Sequence, residues 1–589
     1  PKYALTLLSY LIEAGQERIL QNHMVFMMVE SVSIDDAHCV FEWFPETASN
    51  SLIIGYVEYG KPQEALNLYE KMKEIGCISY HDDGGRIFVS LLKACAHLKD
   101  ISKGIEIHIR IKMLGFLDHN VFVGSTLIDM YAKCGSISCA QQVFDNLQSR
   151  NIVSWTGLIS GYIYHGCCKE AIGLYNDMIQ EGVVPNEVTY LCILKACANM
   201  GDLTLGECIH NEIETQGLLE RNVALGNTLI DMYGKCGVIM KSKIVFDNLV
   251  QRDVVSWTAL ILSYVEHGYS EAALKLYEEM QIEGVLVNVV TYVSILKACS
   301  GVGDIQTGEK IHIEINKNVR RKQDIVLGNA LIDMYGKCGN LIKAQKVFDK
   351  IKMPNVISWT TLITGYVENG HNDSALHYFE QMQLKGVSPN VVTFVCILKS
   401  CSSLQDADKG KGLHAEIERQ GLLEKEIIIG NALIDMYARC GLIYKSQEVF
   451  EKIPCRNVVS WNAIITGYVE LGHAEEALSR YEQMQHEGFY ADAITFASSL
   501  KACSILKAID IGLKIHAKAE RQGLMQSDVV VGSAIVDMYV KCGSLVIAQA
   551  VFHKLPMRNV VSWTALIVGY AEHGYSEKAI EYFERMQLE

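Results

Sequence analysis

Residues 254 to 285 read VVSWTALILSYVEHGYSEAALKLYEEMQIEGV, and this stretch decides the fold. Trp257, Leu260, Ile261 and Tyr264 fall at i, i+3, i+4 and i+7, which places them on one stripe of an α-helix. Gly268 breaks the pattern, Ala273, Leu276, Tyr277 and Met280 resume it, and Gly284 stops it. The stretch is therefore a helical hairpin. Neither helix can bury its stripe alone, so such hairpins must stack on one another, burying a continuous core and leaving a groove. Nothing in the chain reads as strand.

The same design recurs at a fixed interval. Trp155, Trp257, Trp359, Trp461 and Trp563 are each 102 residues apart, as are His108, His210, His312, His414 and His516. Ten cysteines, from Cys95 and Cys134 to Cys503 and Cys542, alternate at steps of 39 and 63 residues. An interval that never slips means stacked repeats rather than one large core. Each block divides into units of 36, 31 and 35 residues, here called long, short and standard; the third copy shows them at 289–324, 325–355 and 356–390. The blocks span 85–186, 187–288, 289–390, 391–492 and 493–589, the last unit being incomplete. Residues 1–84 hold degenerate repeats: a worn short-type unit at 18–45 and a standard-type unit with a small insertion at 46–84.

A chain of 589 residues would ordinarily suggest about three or four domains, but the repeat makes it one elongated array. With 49% hydrophobic residues and 8 prolines it has the composition of an ordered protein. No apolar run reaches the roughly 18 residues of a membrane-spanning helix, so the chain is expected to be soluble. Its 19 cysteines recur at slots far apart along a stack, which fits small packing residues in a reducing compartment better than a disulfide framework. The start at Pro1 and the stop 30 residues into a standard unit lead us to expect further sequence at both ends.

Two-helix repeats of this length suit either a peptide-binding adaptor or an RNA-binding array, and spacing alone does not choose. The standard units resemble the pentatricopeptide repeat. The 36-residue units (VTYVSILKACSGVGDIQTGEKIH) and the 31-residue units (NALIDMYGKCGNLIKAQKVFDK) are similar to its long and short variants. The order long, short, standard, repeated five times, resembles the PLS class of plant organelle RNA-binding proteins. That resemblance implies an all-α, right-handed superhelical α-solenoid binding single-stranded RNA at one base per repeat. It also implies location in a mitochondrion or chloroplast, and a role as the recognition part of a C-to-U RNA editing factor. Editing-complex proteins are implied partners, with no cofactor, membrane or small-molecule substrate.

In this family the fifth and last residues of a repeat read one base. Carried over, the pairs are Ser125/Asn151, Thr156/Asn186, Asn227/Asp253, Thr258/Asn288, Asn329/Asn355, Thr360/Asn390, Asn431/Asn457, Asn462/Asp492 and Ser533/Asn559. Thr564 begins a further pair, and Asn50 offers an upstream pyrimidine. Every one is Ser, Thr or Asn with Asn or Asp, whereas merely exposed slots would include Lys, Glu and Gln. The family's code takes Thr or Ser with Asn as adenine, Asn with Asp as uracil, and Asn with Asn as a pyrimidine. The long units carry Val89, Leu191, Val293, Val395 and Ala497 at the fifth slot, so their bases are left free. The implied RNA is 5'-AAnUAnYAnYUnA-3'.

The second residue of each unit is the implied base-stacking slot: Phe122, Val153, Val255, Val326, Ile357, Ile428, Val459, Val530 and Val561, with Ala224 the weak member. Aromatic platforms contribute about 1 to 3 kcal/mol per base, and Val less. A net charge of −15 opposes nucleic-acid binding on its face. Against it stand Lys133, Lys235, Lys337, Arg439 and Lys541, one per short unit and two turns beyond the fifth slot, where they can follow phosphates. The alternative for that row is a solvated face, because the standard units carry Glu266, Glu368, Glu470 and Glu572 there.

Catalytic and metal-binding signals are weak. His210-x-Glu212, His312-x-Glu314 and His414-x-Glu416 match half of a zinc deaminase signature, but no Pro-Cys-x-x-Cys follows. His108 and His516 occupy the same slot without the Glu, so the match follows the repeat. No metal-ligand spacing or phosphate-binding glycine loop is present, and Cys167-Cys168 is a lone pair. The chain itself is expected to be no enzyme, any deaminase-like domain lying beyond it or on a partner. Two other functions stay open: an RNA-stabilising or processing cap, and a tetratricopeptide-like peptide adaptor, which the acidic charge favours.

Overall fold

The computed structural model describes residues 49–75, 84–317 and 324–589. Among them every regular element is a helix. Residues 18–45 of the degenerate N-terminal repeats lie outside the described residues. The chain divides into two units, Pro1–Ile295 and Leu296–Glu589, each a stack of helical hairpins.

One block shows the construction. Helices Glu187–Met200 and Leu203–Thr215 form the long hairpin, Val223–Lys235 and Ile239–Asn248 the short one, and Val254–Glu266 and Ser270–Ile282 the standard one. The predicted stripe is the buried one: Trp257, Leu260, Ile261, Ala273, Leu276, Tyr277 and Met280 are all buried, with Tyr264 half-buried at its edge. The long units contain one feature beyond the expected hairpin. A short helical turn follows the second helix at Phe116–His119, Leu218–Glu220 and Leu524–Ser527. Each begins after a glycine at positive φ (Gly115, Gly217 and Gly523), which reverses the chain and accommodates the extra residues of the unit.

Within each stack, the first helix of a hairpin packs against the first helix of the next, while the second helix packs on the first helix that follows it. Two layers result, with the first helices in close mutual contact. Their closeness has a steric cause: a Cβ on Gly336 would lie 3.2 Å from the Cα of Gly365, and one on Gly161 would lie 2.7 Å from the Cβ of Ala132. Small residues at this crossing let the backbones approach.

The residues that mark the period are the joints of the stack. Each Trp meets a Phe of the preceding short unit edge-on, with ring centroids 4.6 Å apart for Phe246 and Trp257 and 4.7 Å for Phe450 and Trp461. Arg150, Arg252, Arg456 and Arg558 lie over these Phe rings and reach Glu181, Glu283, Glu487 and Glu589. The third copy has Pro354 and Lys385 at those two slots, so the cation and its partner are lost together. Glycines of the long units' second helices face methionines of the short units: a Cβ on Gly206 would lie 2.7 Å from the Met232 Sδ.

The periodic cysteines are packing residues. Burial first, then neighbouring acidic groups, pushes the thiols of Cys95, Cys197 and Cys299 up to about 12, so they stay protonated. The periodic histidines serve the same end. His108, His210, His312, His414 and His516 bond through Nδ1 to the hydroxyls of Tyr131, Tyr233, Tyr335, Tyr437 and Tyr539 at 2.8 to 3.0 Å. This His–Tyr joint accounts for the recurrence of the half-signature of a deaminase.

Burial holds all five imidazoles below their usual titration range. The unfolded chain therefore binds more protons than the folded one once the pH drops below about 6.5. Stability is fully present above that pH and is lost as the pH falls towards the depressed folded values. We expect the unfolding temperature to drop between about pH 6.5 and 5. A variant with all five histidines replaced by Gln should lose that part of the pH dependence; an unaltered profile would remove the assignment.

Candidate nucleic-acid interface

The last residue of each unit is the N-cap of the next hairpin. Asn151, Asn186, Asp253, Asn288, Asn355, Asn390, Asn457, Asp492 and Asn559 each place Oδ1 2.8 to 3.0 Å from the backbone N–H of the residue three positions on. Only a short side chain with an acceptor oxygen closes this bond, so Lys, Glu and Gln are absent from these nine positions for a folding reason; where Glu426 ends a long unit, no side-chain cap forms. Capping does not, however, choose between Asn and Asp. Because Oδ1 is held by the backbone, Asn keeps Nδ2 as a further donor, whereas Asp keeps only acceptor capacity. Asp253 stays ionised: burial raises its pKa, but donors from Ser256 and Asn227 more than offset this and hold it below the usual carboxylate value.

The fifth residue lies against this cap. Asn227 Nδ2 donates to Asp253 Oδ1 at 3.2 Å, and Asn462 Nδ2 lies 2.9 Å from both oxygens of Asp492. Asn431 Nδ2 reaches Asn457 Oδ1 at 3.4 Å, and Ser533 Oγ reaches Asn559 Oδ1 at 2.9 Å. The threonines connect through one more group: Thr258 Oγ1 is 2.7 Å from Thr291 Oγ1, which donates to Asn288 Oδ1 at 2.9 Å. Thr156–Thr189–Asn186 and Thr360–Thr393–Asn390 repeat this chain. Asn329 and Asn355 lack such a bond, and the oxygens of Asn227 and Asn329 are buried without a partner. Ser125 bonds to its own helix through the carbonyl of Val121.

Sequence reasoning missed the linking hydroxyl at the third position of each following helix. It is Thr189, Thr291, Thr393 and Thr495 in the long units and Ser154, Ser256, Ser358, Ser460 and Ser562 in the standard ones. Its own 102-residue spacing was the available signal. The fifth-slot side chains are also more covered than an open reading slot suggests: Thr258 is 6% exposed and Asn462 7%. The caps remain half-buried or exposed, so they form the accessible edge of each pair. Thr564 is exposed. Asn50 lies in the first turn of helix Ser49–Glu58, with its side chain outside the described residues.

The second-slot residues are exposed, from 49% for Val153 to 71% for Phe122, and Ala224 is exposed with them. The row is denser than the sequence reading had it, because Val188, Val290, Val392 and Ile494 of the long units are exposed at the same slot. The expected cation row is qualified by the structure. Lys133, Lys235, Lys337, Arg439 and Lys541 each pair with an aspartate one turn earlier, at 2.8 to 3.0 Å, so every site is electrically neutral. An Asp at i−4 competes with phosphate for each cation.

The profile described as "PPR repeat family" matches residues 150–199, 252–301, 354–403 and 456–504, and that described as "PPR repeat" matches 47–77, 125–152, 329–355, 431–458 and 561–589. A chloroplastic pentatricopeptide repeat-containing protein of Arabidopsis thaliana is 34% identical over 86% of this chain and 82% of its own length. A mitochondrial one is 30% identical over 94% of this chain and 60% of its own. In several further Arabidopsis relatives the chain spans 58% to 63% of the relative's length. Among solved structures, maize PPR10, as crystallised with an 18-nt psaJ RNA element, aligns with a TM-score of 0.54. It is 18% identical and covered over 99% of this chain and 86% of its own.

Thr291→Val removes the hydroxyl between Thr258 and Asn288 while keeping the shape of the side chain. It should cost about 1 kcal/mol, seen as faster hydrogen exchange in the first turn of helix Val289–Val302, whereas Thr291→Ser should be near neutral. Equal exchange in both variants would show that the hydroxyl holds nothing.

Proposed function

Because the chain belongs to the pentatricopeptide repeat family, we propose that it binds single-stranded RNA in a sequence-specific manner, each short and standard unit reading one base. The observation that carries this reading is the fixed polarity of each cap. With Oδ1 committed to the backbone, Asn offers a donor and Asp an acceptor to whatever approaches the groove. The fifth residue completes the pattern. The single proton of Thr258 is engaged inside the fold, between the Val254 carbonyl at 2.6 Å and Thr291 Oγ1 at 2.7 Å, so the hydroxyl keeps only acceptor capacity for a base.

The pair Thr258/Asn288 thus presents one acceptor and one donor, the complement of the N6 amino group and N1 of adenine. Asn227/Asp253 presents the Asn amino group and a carboxylate, which suits O4 and N3–H of uracil. Asn431/Asn457 presents two amino groups, which suits the two acceptors N3 and O2 of cytosine. The long units add no hydrogen-bonding side chain at the fifth slot, and their second-slot Val and Ile residues supply only apolar contact. These assignments agree with the family's code and yield 5'-AAnUAnYAnYUnA-3' as the preferred RNA.

The order long, short, standard supports a role as the recognition part of a C-to-U editing factor in a chloroplast or mitochondrion, with the deaminase activity supplied outside this stretch. An RNA-stabilising cap would use the same interface.

Equilibrium binding should favour the predicted RNA over one of scrambled order by at least tenfold, since single mismatches cost about 1 to 3 kcal/mol. Equal affinity for both would end the proposal. Asn227→Thr, beside the retained Asp253, replaces an amino group by an acceptor and leaves two acceptors facing the base. Preference at that one nucleotide should move from uracil to guanine, whose N1–H and N2–H are both donors; competition among four RNAs differing only there reads the outcome.

A further inference from the structure

Lys93, Lys195, Lys297, Lys399 and Lys501 stand in the LKAC and LKSC stretches of the five long units, 102 residues apart. All five are exposed. Each follows the apolar fifth-slot residue of its unit by four positions, one helical turn, and therefore shares its face. None makes an ion pair among the described residues, in contrast to the Asp-paired row of the short units. Glu58, Glu368 and Glu470 end the preceding first helices in their own stacks. At the first long unit the placement can be seen directly. Lys93 lines a cavity of about 310 Å³ together with Val89, Arg86, Asn120 and Phe122, with Glu58 as its one acidic group, which brings the lysine, the fifth slot, the cap and a stacking side chain to one opening.

We propose that this lysine row is the phosphate-binding element of the interface. It gives the long units a task that their apolar fifth slots deny them in base reading: one unpaired cation for every third nucleotide of RNA. It also resolves how a chain of net charge −15 holds a polyanion, because the charge that matters is local and is not held in an ion pair. The inference rests on the RNA-binding reading but not on its base code.

The test is the salt dependence of binding by the full chain. Each phosphate neutralised on a single strand contributes about 0.7 to the slope of log K against log salt, so Lys195→Gln, Lys297→Gln and Lys399→Gln together should flatten it by about 2. The preference for the predicted over the scrambled RNA should persist. Lys133→Gln, Lys235→Gln and Lys541→Gln together, in the Asp-paired row, should flatten the slope by less than half as much. An unchanged slope in the first variant, or an equal change in both, overturns the proposal. If the unaltered chain binds no RNA, the functional reading falls and this inference with it. If matched and scrambled RNAs bind equally while the slope still drops by about 2, the base code falls and the lysine row stands.

Discussion

A side-chain oxygen from the linker closing on the backbone of the next helix is the contact on which this molecule is organised. At Asn288 it ends one hairpin, starts the next and fixes the direction in which the remaining amide nitrogen points. One atom is spent on folding and the other is left with a defined polarity. A linker residue free to rotate would present donor and acceptor by turns and could not distinguish bases. The cap thus joins a structural requirement, met at all nine paired positions, to a chemical choice between Asn and Asp that the fold leaves open.

Around this contact the packing is repetitive because its joints are. Trp against Phe, His against Tyr and Gly against Met recur at each block, and each ties one hairpin only to its neighbour. First helices approach closely through small residues, which brings successive caps onto one layer. The second helices carry ion pairs between neighbours, such as Lys241 with Glu207, that are exposed and contribute little to stability. Stability is local in such a stack, and so is the effect of any one substitution.

The charge distribution shows why counting residues misleads. The short-unit cations are one per block and well spaced, yet each has an aspartate at i−4 and no net charge to offer. The long-unit lysines are equally regular and have no such partner. The two rows differ in their immediate neighbours, which composition cannot express.

The fold was legible in the chain because hydrophobic spacing and glycine punctuation repeat without error, so Trp257 to Met280 could be placed on buried stripes from sequence alone. The identities at the candidate reading slots were legible too, through likeness to a family. Hidden from a one-dimensional reading was everything set by neighbours across a junction. Thr291, 33 residues from Thr258, bridges it to Asn288 because two helices converge there. The fifth slots are covered because the following hairpin lies over them. Sequence determines which side chains a repeat owns. Tertiary structure decides which atoms of them remain free, since that depends on the groups that folding brings within hydrogen-bonding distance.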